Sequence, residues 1–156
     1  KFLNQRSQST KLNLTVLIDS CFDMSKSKTG AIIVLQRSNS LDFTLNENNL
    51  TQINLNPQIL ETIFFKNSPL HDGAILIENN TIVATRVILP LSDRTQVPSH
   101  YGLRHRAALG ISEKTDALVI VISEQTGKVV YVKNGTFIDI DTPESLRELL
   151  IQDLGE

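Results

Sequence analysis

Apolar and polar positions along this chain change period several times, and each change predicts an element. Over residues 11–27, Leu14, Leu17, Ile18 and Cys21 fall on one face at helical spacing, which predicts an amphipathic helix. After Thr29-Gly30, the run Ala31-Ile32-Ile33-Val34-Leu35 is short, apolar and rich in β-branched residues, the pattern of a buried strand. The polar, Asn-rich stretch from Ser38 to Asn56 has little periodicity and predicts a loop with minor strands. Asn56-Pro57 has the form of an N-cap followed by proline at the first helical position, and Ile59, Leu60, Ile63 and Phe64 carry a helical stripe on to Lys66.

From Ala74 the period shortens. Ala74–Ile77 and Ile82–Leu89 flank Asn79-Asn80 and predict two strands joined by a tight hairpin, because Asn tolerates positive φ. Residues 101–112 predict a helix carrying Ala107, Ala108 and Leu109, and Ala117–Ile122 is a strongly apolar strand. Val129–Val132 and Phe137–Ile140 flank Asn134-Gly135, a strong hairpin signal. Thr142-Pro143 opens a last helix whose buried face is Leu146, Leu149 and Leu150. The hairpins make much of the sheet antiparallel. The expected fold class is therefore α/β: a single domain over residues 1–156 with a mixed, largely antiparallel central sheet covered by helices.

Composition narrows the function. At 156 residues and 40% hydrophobic, the chain can bury one core without metal or disulfide staples. Its 15 basic and 17 acidic side chains leave a formal charge of -2, so no global field draws it to nucleic acid, and no nucleic-acid partner is expected. The lone Cys21 has no internal disulfide partner; it reads as a small buried hydrophobe and points to the cytoplasmic side. No apolar run approaches the roughly 18 residues of a membrane span. Because the sequence starts at Lys1, an upstream region of a longer protein is expected, and membrane anchoring is expected only through such segments.

Three segments carry candidate chemistry. Ser68-Pro69-Leu70-His71-Asp72-Gly73-Ala74 places an imidazole and a carboxylate at a strand entrance, where glycine permits close approach of backbone or ligand. Asp72 could bind a divalent cation or take a proton from a hydroxyl, and His71 would favour manganese or another transition metal. Gly102-Leu103-Arg104-His105-Arg106-Ala107-Ala108 puts free amides, the positive end of a helix dipole and basic side chains together, which suits a polyphosphate. Two arginines there are unfavourable for the bare helix, a local conflict of the kind that function imposes. Ser123-Glu124-Gln125-Thr126-Gly127 follows an apolar strand with hydroxyls and amides for phosphate oxygens, and Glu124 is a second carboxylate for a metal. Taken singly, each segment also describes an ordinary polar turn or solvated helix start. His100 and Tyr101 either line the same pocket or serve as a loop histidine and a helix-capping aromatic.

In their order and combination the segments resemble the diadenylate cyclase family, whose marks are an Asp-Gly-Ala and an Arg-His-Arg motif. Here they stand as SPLHDGA and GLRHRAALG, followed by SEQTG, with further similarity through SKTGAIIVLQR, IFFKNSPL and KNG over residues 11–137. The resemblance implies a nucleotidyltransferase that condenses two ATP into cyclic di-AMP. It implies Asp72, Arg104, His105 and Arg106 as catalytic residues and His71, Asp72 and Glu124 as ligands of Mn2+, Mg2+ or Co2+. Nucleotide contacts would come from Gly73, Ala74, Leu89, Gly102, Leu103, Arg104, His105, Arg106, Ser123, Glu124 and Thr126. Since each nucleotide must be both attacker and target, a homodimer with facing sites is expected for turnover. Two positions depart from the pattern: Leu103 stands where family members commonly have threonine, and Ile88 where some carry a tyrosine suited to stacking on adenine. The competing expectation is a non-catalytic nucleotide-binding sensor, and behind it a structural or interaction domain.

Overall fold

The computed structural model describes residues 11–155. Helix α1 (Leu14–Ser27) starts where the Asn13 side chain accepts the Val16 amide, and stops at Lys28, whose left-handed backbone turns its amide back to the Met24 and Ser25 carbonyls. Strand β1 (Ala31–Leu35) follows, then β2 (Leu50–Asn54), the short helix α2 (Ile59–Phe64) and the hairpin of β3 (Ala74–Glu78) and β4 (Thr81–Val87). Helix α3 (Leu103–Lys114), strands β5 (Leu118–Ile122), β6 (Val129–Lys133) and β7 (Thr136–Ile140) and helix α4 (Pro143–Leu154) complete the chain.

The strands form one seven-stranded sheet in the order β2-β4-β3-β1-β5-β6-β7. Only β1 and β3 pair in parallel; the other neighbours are antiparallel. The expected mixed, largely antiparallel class is therefore what the chain adopts. β1 and β5 are buried at every position, as a strand covered on both faces must be. Their alternation splits the core. Ala31, Ile33, Leu35, Leu118, Ile120 and Ile122 pack with α1, α2 and α4, and Cys21 lies buried in that layer as expected. Ile32, Val34, Val119 and Val121 face α3 on the other side.

Some boundaries differ from the sequence expectation. Asn56 does not cap α2: its side-chain amide donates back to the Asn54 carbonyl, Pro57 and Gln58 turn, and the helix begins at Ile59 after Gln58 at φ 75. The Asn-rich stretch does contain a minor strand, β2, approached through a turn in which buried Asn49 accepts the Asn46 amide and donates to the Thr44 carbonyl. These polar side chains replace the backbone pairing of a regular element. No described helix is long and apolar enough to cross a membrane.

At the far edge, the Asp153 carboxylate accepts the Tyr131 hydroxyl at 2.7 Å and Lys133 Nζ at 2.6 Å, while Arg37 donates to the Asp153 carbonyl. The last turn of α4 is thus fastened to β6 and to the segment after β1.

Helix α3 is buried nearly all round, so it shows little of the one-sided periodicity of a surface helix. It can sit so close to the Pro90-Leu91 segment because Gly110 has no side chain: a Cβ there would overlap the Pro90 carbonyl oxygen. Gly110→Ala is expected to cost about 1–3 kcal/mol or more through overpacking against backbone. Thermal or urea unfolding of the variant checks this, and an unchanged midpoint would show that α3 is not held by this contact.

Candidate active site

The strand register decides where chemistry can gather. Ala31 pairs with Ile122 and Ala74 with Val87, while β1 and β3 run parallel, so the starts of β1 and β3 and the ends of β4 and β5 lie along one edge of the sheet. The N-terminus of α3 comes to the same edge. A cavity of about 810 Å³ opens there, with walls from Ile32, Asp72-Gly73, Val87–Leu89, Leu91, Ser99–His105, Ala107 and Ser123–Gln125. All three candidate segments thus contribute to one site.

Asp72 presents an exposed carboxylate at the rim. Its neighbour His71 sits in a turn in which Nδ1 lies 2.8 Å from the Ser68 carbonyl and Nε2 3.2 Å from Asp72 Oδ1. Gly73 is required twice over. Its φ of +83 is left-handed, and a Cβ would come within 2.9 Å of the Arg86 and Val87 backbone. Asp72 therefore stands on a segment pressed directly against β4.

The start of α3 lacks a side-chain cap at Gly102 and has no acidic residue in its first turn, so its first amides face the cavity without a protein acceptor from a cap. The three residues of the Arg-His-Arg motif point in three directions. Arg104 reaches across the cavity wall and donates from Nη1 to Glu124 Oε1 at 2.9 Å. That hydrogen bond and the guanidinium charge hold the Glu124 carboxyl below its usual range. Arg106 donates to the Arg94 carbonyl at 2.9 Å and is not part of the cavity wall. His105 is buried and stacked on Tyr101, with ring centroids 4.0 Å apart and planes within 5°. Burial, reinforced by nearby His100 and Arg104, lowers its pKa from 6.5 to about 4, so it is neutral at physiological pH. Its Nε2 is buried without a hydrogen-bond partner. Tyr101 donates to Asp139 and meets Phe137 edge-on, which anchors the stack.

In the third segment, Ser123 Oγ accepts the amides of Gln125 and Thr126, and Thr126 Oγ1 accepts the Lys128 amide. Ser123 and Glu124 line the cavity; Thr126 is spent on the turn and does not. Gly73, Leu89, Gly102 and Leu103 line it too, whereas Ala74 is buried beneath in the α3-side core. Ile88 and Leu103 are among the most exposed apolar side chains described, at 87% and 71%, and both border this cavity. The ambiguity over His100 and Tyr101 resolves in favour of the wall. Sequence reasoning missed Ile32, Val87, Leu91 and Ser99. Strand alternation could have found Ile32, which faces the α3 side, while nothing local marks the others.

The DAC family model, described as DisA bacterial checkpoint controller nucleotide-binding, matches residues 18–137. The chain belongs to this family. Over 117 residues the DAC domain is 44% identical to diadenylate cyclase CdaS of Bacillus thuringiensis, covering 75% of this chain and 58% of that protein. Over 127 residues it is 39% identical to cyclic di-AMP synthase CdaA of Bacillus subtilis, covering 81% and 46%. The chain thus spans about half the length of these curated relatives. The crystal structure of a DacA double mutant from Staphylococcus aureus matches with a TM-score of 0.85 at 33% identity, over 90% of this chain and 93% of that one.

The buried histidine makes stability of the DAC domain pH-dependent. Between 6.5 and about 4 the unfolded chain takes up a proton that folded His105 refuses, so the unfolded state binds more protons in that window. The contribution is complete above pH 6.5 and is lost as pH falls toward 4. Thermal melts from pH 7.5 to 4 should therefore show a drop that His105→Phe reduces, by about 2–4 °C for each kcal/mol the histidine supplies. An identical pH profile in the variant would count against this origin.

Proposed function

We propose that this DAC domain acts as a diadenylate cyclase, joining two ATP molecules into cyclic di-AMP with release of two pyrophosphates. One observation carries the reading: a single cavity collects an exposed carboxylate, a guanidinium, an uncapped helix N-terminus and aliphatic surface at one sheet edge. Each group meets a different part of ATP. Ile88, Leu89 and Leu103 offer apolar faces to the base. Arg104, the α3 amides and the Ser123 turn offer donors to the triphosphate.

In each of two equivalent steps, a ribose 3′-oxygen forms a bond to the α-phosphorus of the other nucleotide, and the bond from that phosphorus to the bridging oxygen of the pyrophosphate breaks. The hydroxyl proton passes to the Asp72 carboxylate. Arg104 lies where phosphate charge would accumulate, and within the Arg-His-Arg motif it is the member we assign to direct contact. Neutral His105 instead braces Tyr101 in the wall, and Arg106 fixes the Arg94 segment. Such a transfer depends mainly on positioning and charge neutralisation.

The residues present fit a divalent cation of the Mn2+ or Mg2+ kind. With the ring proton on Nδ1 toward Ser68, His71 Nε2 and Asp72 Oδ1 form adjacent electron-pair donors, 3.2 Å apart. No group of three or more His, Cys, Asp or Glu side chains suited to a metal occurs among the described residues, so substrate oxygens and water would complete the shell. Held by His71 and Asp72, such a cation would supply charge neutralisation at the triphosphate and would make the attacking hydroxyl more acidic. Glu124 meets Arg104 through Oε1, so its other oxygen is the one it would offer to such a cation.

Incubation with ATP and either cation, followed by chromatography and mass analysis, should give cyclic di-AMP from the wild type. Asp72→Asn should lower the yield by about 10²–10⁴-fold, the scale of a lost general base, without loss of folding, since the side chain is exposed. ATP binding with no dinucleotide under either cation, at any protein concentration, would favour the sensor reading instead.

Ring closure also requires two nucleotides, and the described residues of each chain form one such cavity. We place the reaction between two facing copies, so activity per milligram should rise with protein concentration before reaching a plateau. A strictly constant specific activity down to nanomolar protein, in chains shown by sedimentation to be monomeric, would exclude this arrangement.

A further inference from the structure

Gly30, the residue just before β1, is buried, yet its backbone does not need glycine: its φ lies outside the positive region, unlike those of Gly73, Gly127, Gly135 and Gly155. The reason for its bare Cα is therefore spatial. A Cβ built on Gly30 would lie 2.6 Å from Arg104 Cζ and 2.9 Å from both Nε and Nη1. Those three atoms are the nearest to it. The central carbon is closest and two flanking nitrogens are equally distant, so the Cβ would come down on the face of the guanidinium plane. Arg104 lies flat on the glycine.

We propose that Gly30 is a positioning residue for Arg104: its missing side chain forms the floor of a seat that holds the guanidinium flat, with Glu124 as one wall. The seat fixes which donors face inward. Nη1 is turned to Glu124 at 2.9 Å, and among the described residues no other protein acceptor engages the guanidinium. Of its five N–H groups, the remainder are available to an anion in the cavity, in an orientation set before the anion arrives. A planar group on a flat floor is pre-organised in a way that the same side chain, free to rotate, is not. Glu124 is itself held by the turn after β5, where Gly127 is packed against the end of α1 and accepts a hydrogen bond from Ser25. That end of α1 leads directly into Gly30, so floor and wall belong to one packed corner of the fold.

The inference rests on the cyclase reading for its substrate and is tested with ATP. The test compares wild type, Gly30→Ala, Arg104→Lys and the double variant. Affinity for a non-cleavable ATP analogue is measured by calorimetry, cyclic di-AMP formation is followed in parallel, and melting temperature is recorded for each. The three atoms nearest a Cβ at position 30 all belong to the tip of one flexible side chain rather than to backbone, so Gly30→Ala should melt close to the wild type. It should bind the analogue about tenfold more weakly and form product correspondingly more slowly. In the Arg104→Lys background the same substitution should change affinity less than twofold, because a narrow ammonium needs no flat floor. An equal loss in both backgrounds overturns the proposal, and so does a fall in melting temperature that tracks the loss of affinity, which would assign Gly30 to strand packing. An active wild type beside an equally active Gly30→Ala removes the seat alone. A wild type that neither binds the analogue nor forms product removes the cyclase reading, and the seat's purpose with it.

Discussion

The parallel pairing of β1 with β3 is the constraint on which the site depends. In a sheet that is otherwise antiparallel, this one contact brings two strand beginnings to the same edge as the two strand endings beside them. Four chain segments therefore enter or leave the sheet side by side, and each can place a polar residue at the point where backbone pairing stops. Helix α3 closes the arrangement by burying its middle turns, Ala107–Ser112, against the sheet and the Pro90-Leu91 segment, which brings its first turn to the edge. Were β1 and β3 antiparallel, Asp72 and the Gly30 corner would lie at opposite ends of the sheet.

Within that frame, charge is distributed economically. The cavity holds one engaged ion pair, Arg104 with Glu124, and an exposed carboxylate beside a histidine. The histidine in the middle of the basic motif is withdrawn from the charge count by burial, and its ring serves as a stacking surface for Tyr101. A motif that reads as three cations in a row is, in space, one cation toward the cavity, one neutral ring in the wall and one cation bracing a loop. The side-chain directions follow from the helix: successive residues are set about 100° apart around its axis, so three neighbours cannot share one target.

This explains what could be read in advance. The strands, most of the helices and the mixed sheet were legible because Ala31–Leu35, Leu118–Ile122 and the two Asn-containing hairpins carry strong local signals. The three segments of the site were legible as motifs. Their individual roles were not, because the orientation of Arg106, the burial of His105 and the use of Thr126 inside its turn are set by tertiary neighbours such as Arg94, Tyr101 and Lys128. The start of α2 was misread for a similar reason: the Asn56 side chain turns back to donate to the Asn54 carbonyl, and Gln58 at positive φ delays the helix to Ile59.

The clamp around Asp153 has a consequence for the order in which the molecule can be made. Its partners, Arg37, Tyr131 and Lys133, leave the ribosome well before residue 153 does. Until the end of α4 has emerged, the hydroxyl of Tyr131 has no carboxylate to meet, and the helical cover over β5 and β6 cannot be drawn tight. An open sheet flank therefore persists until α4 has been made, and its closure follows the synthesis of every strand that the clamp fastens.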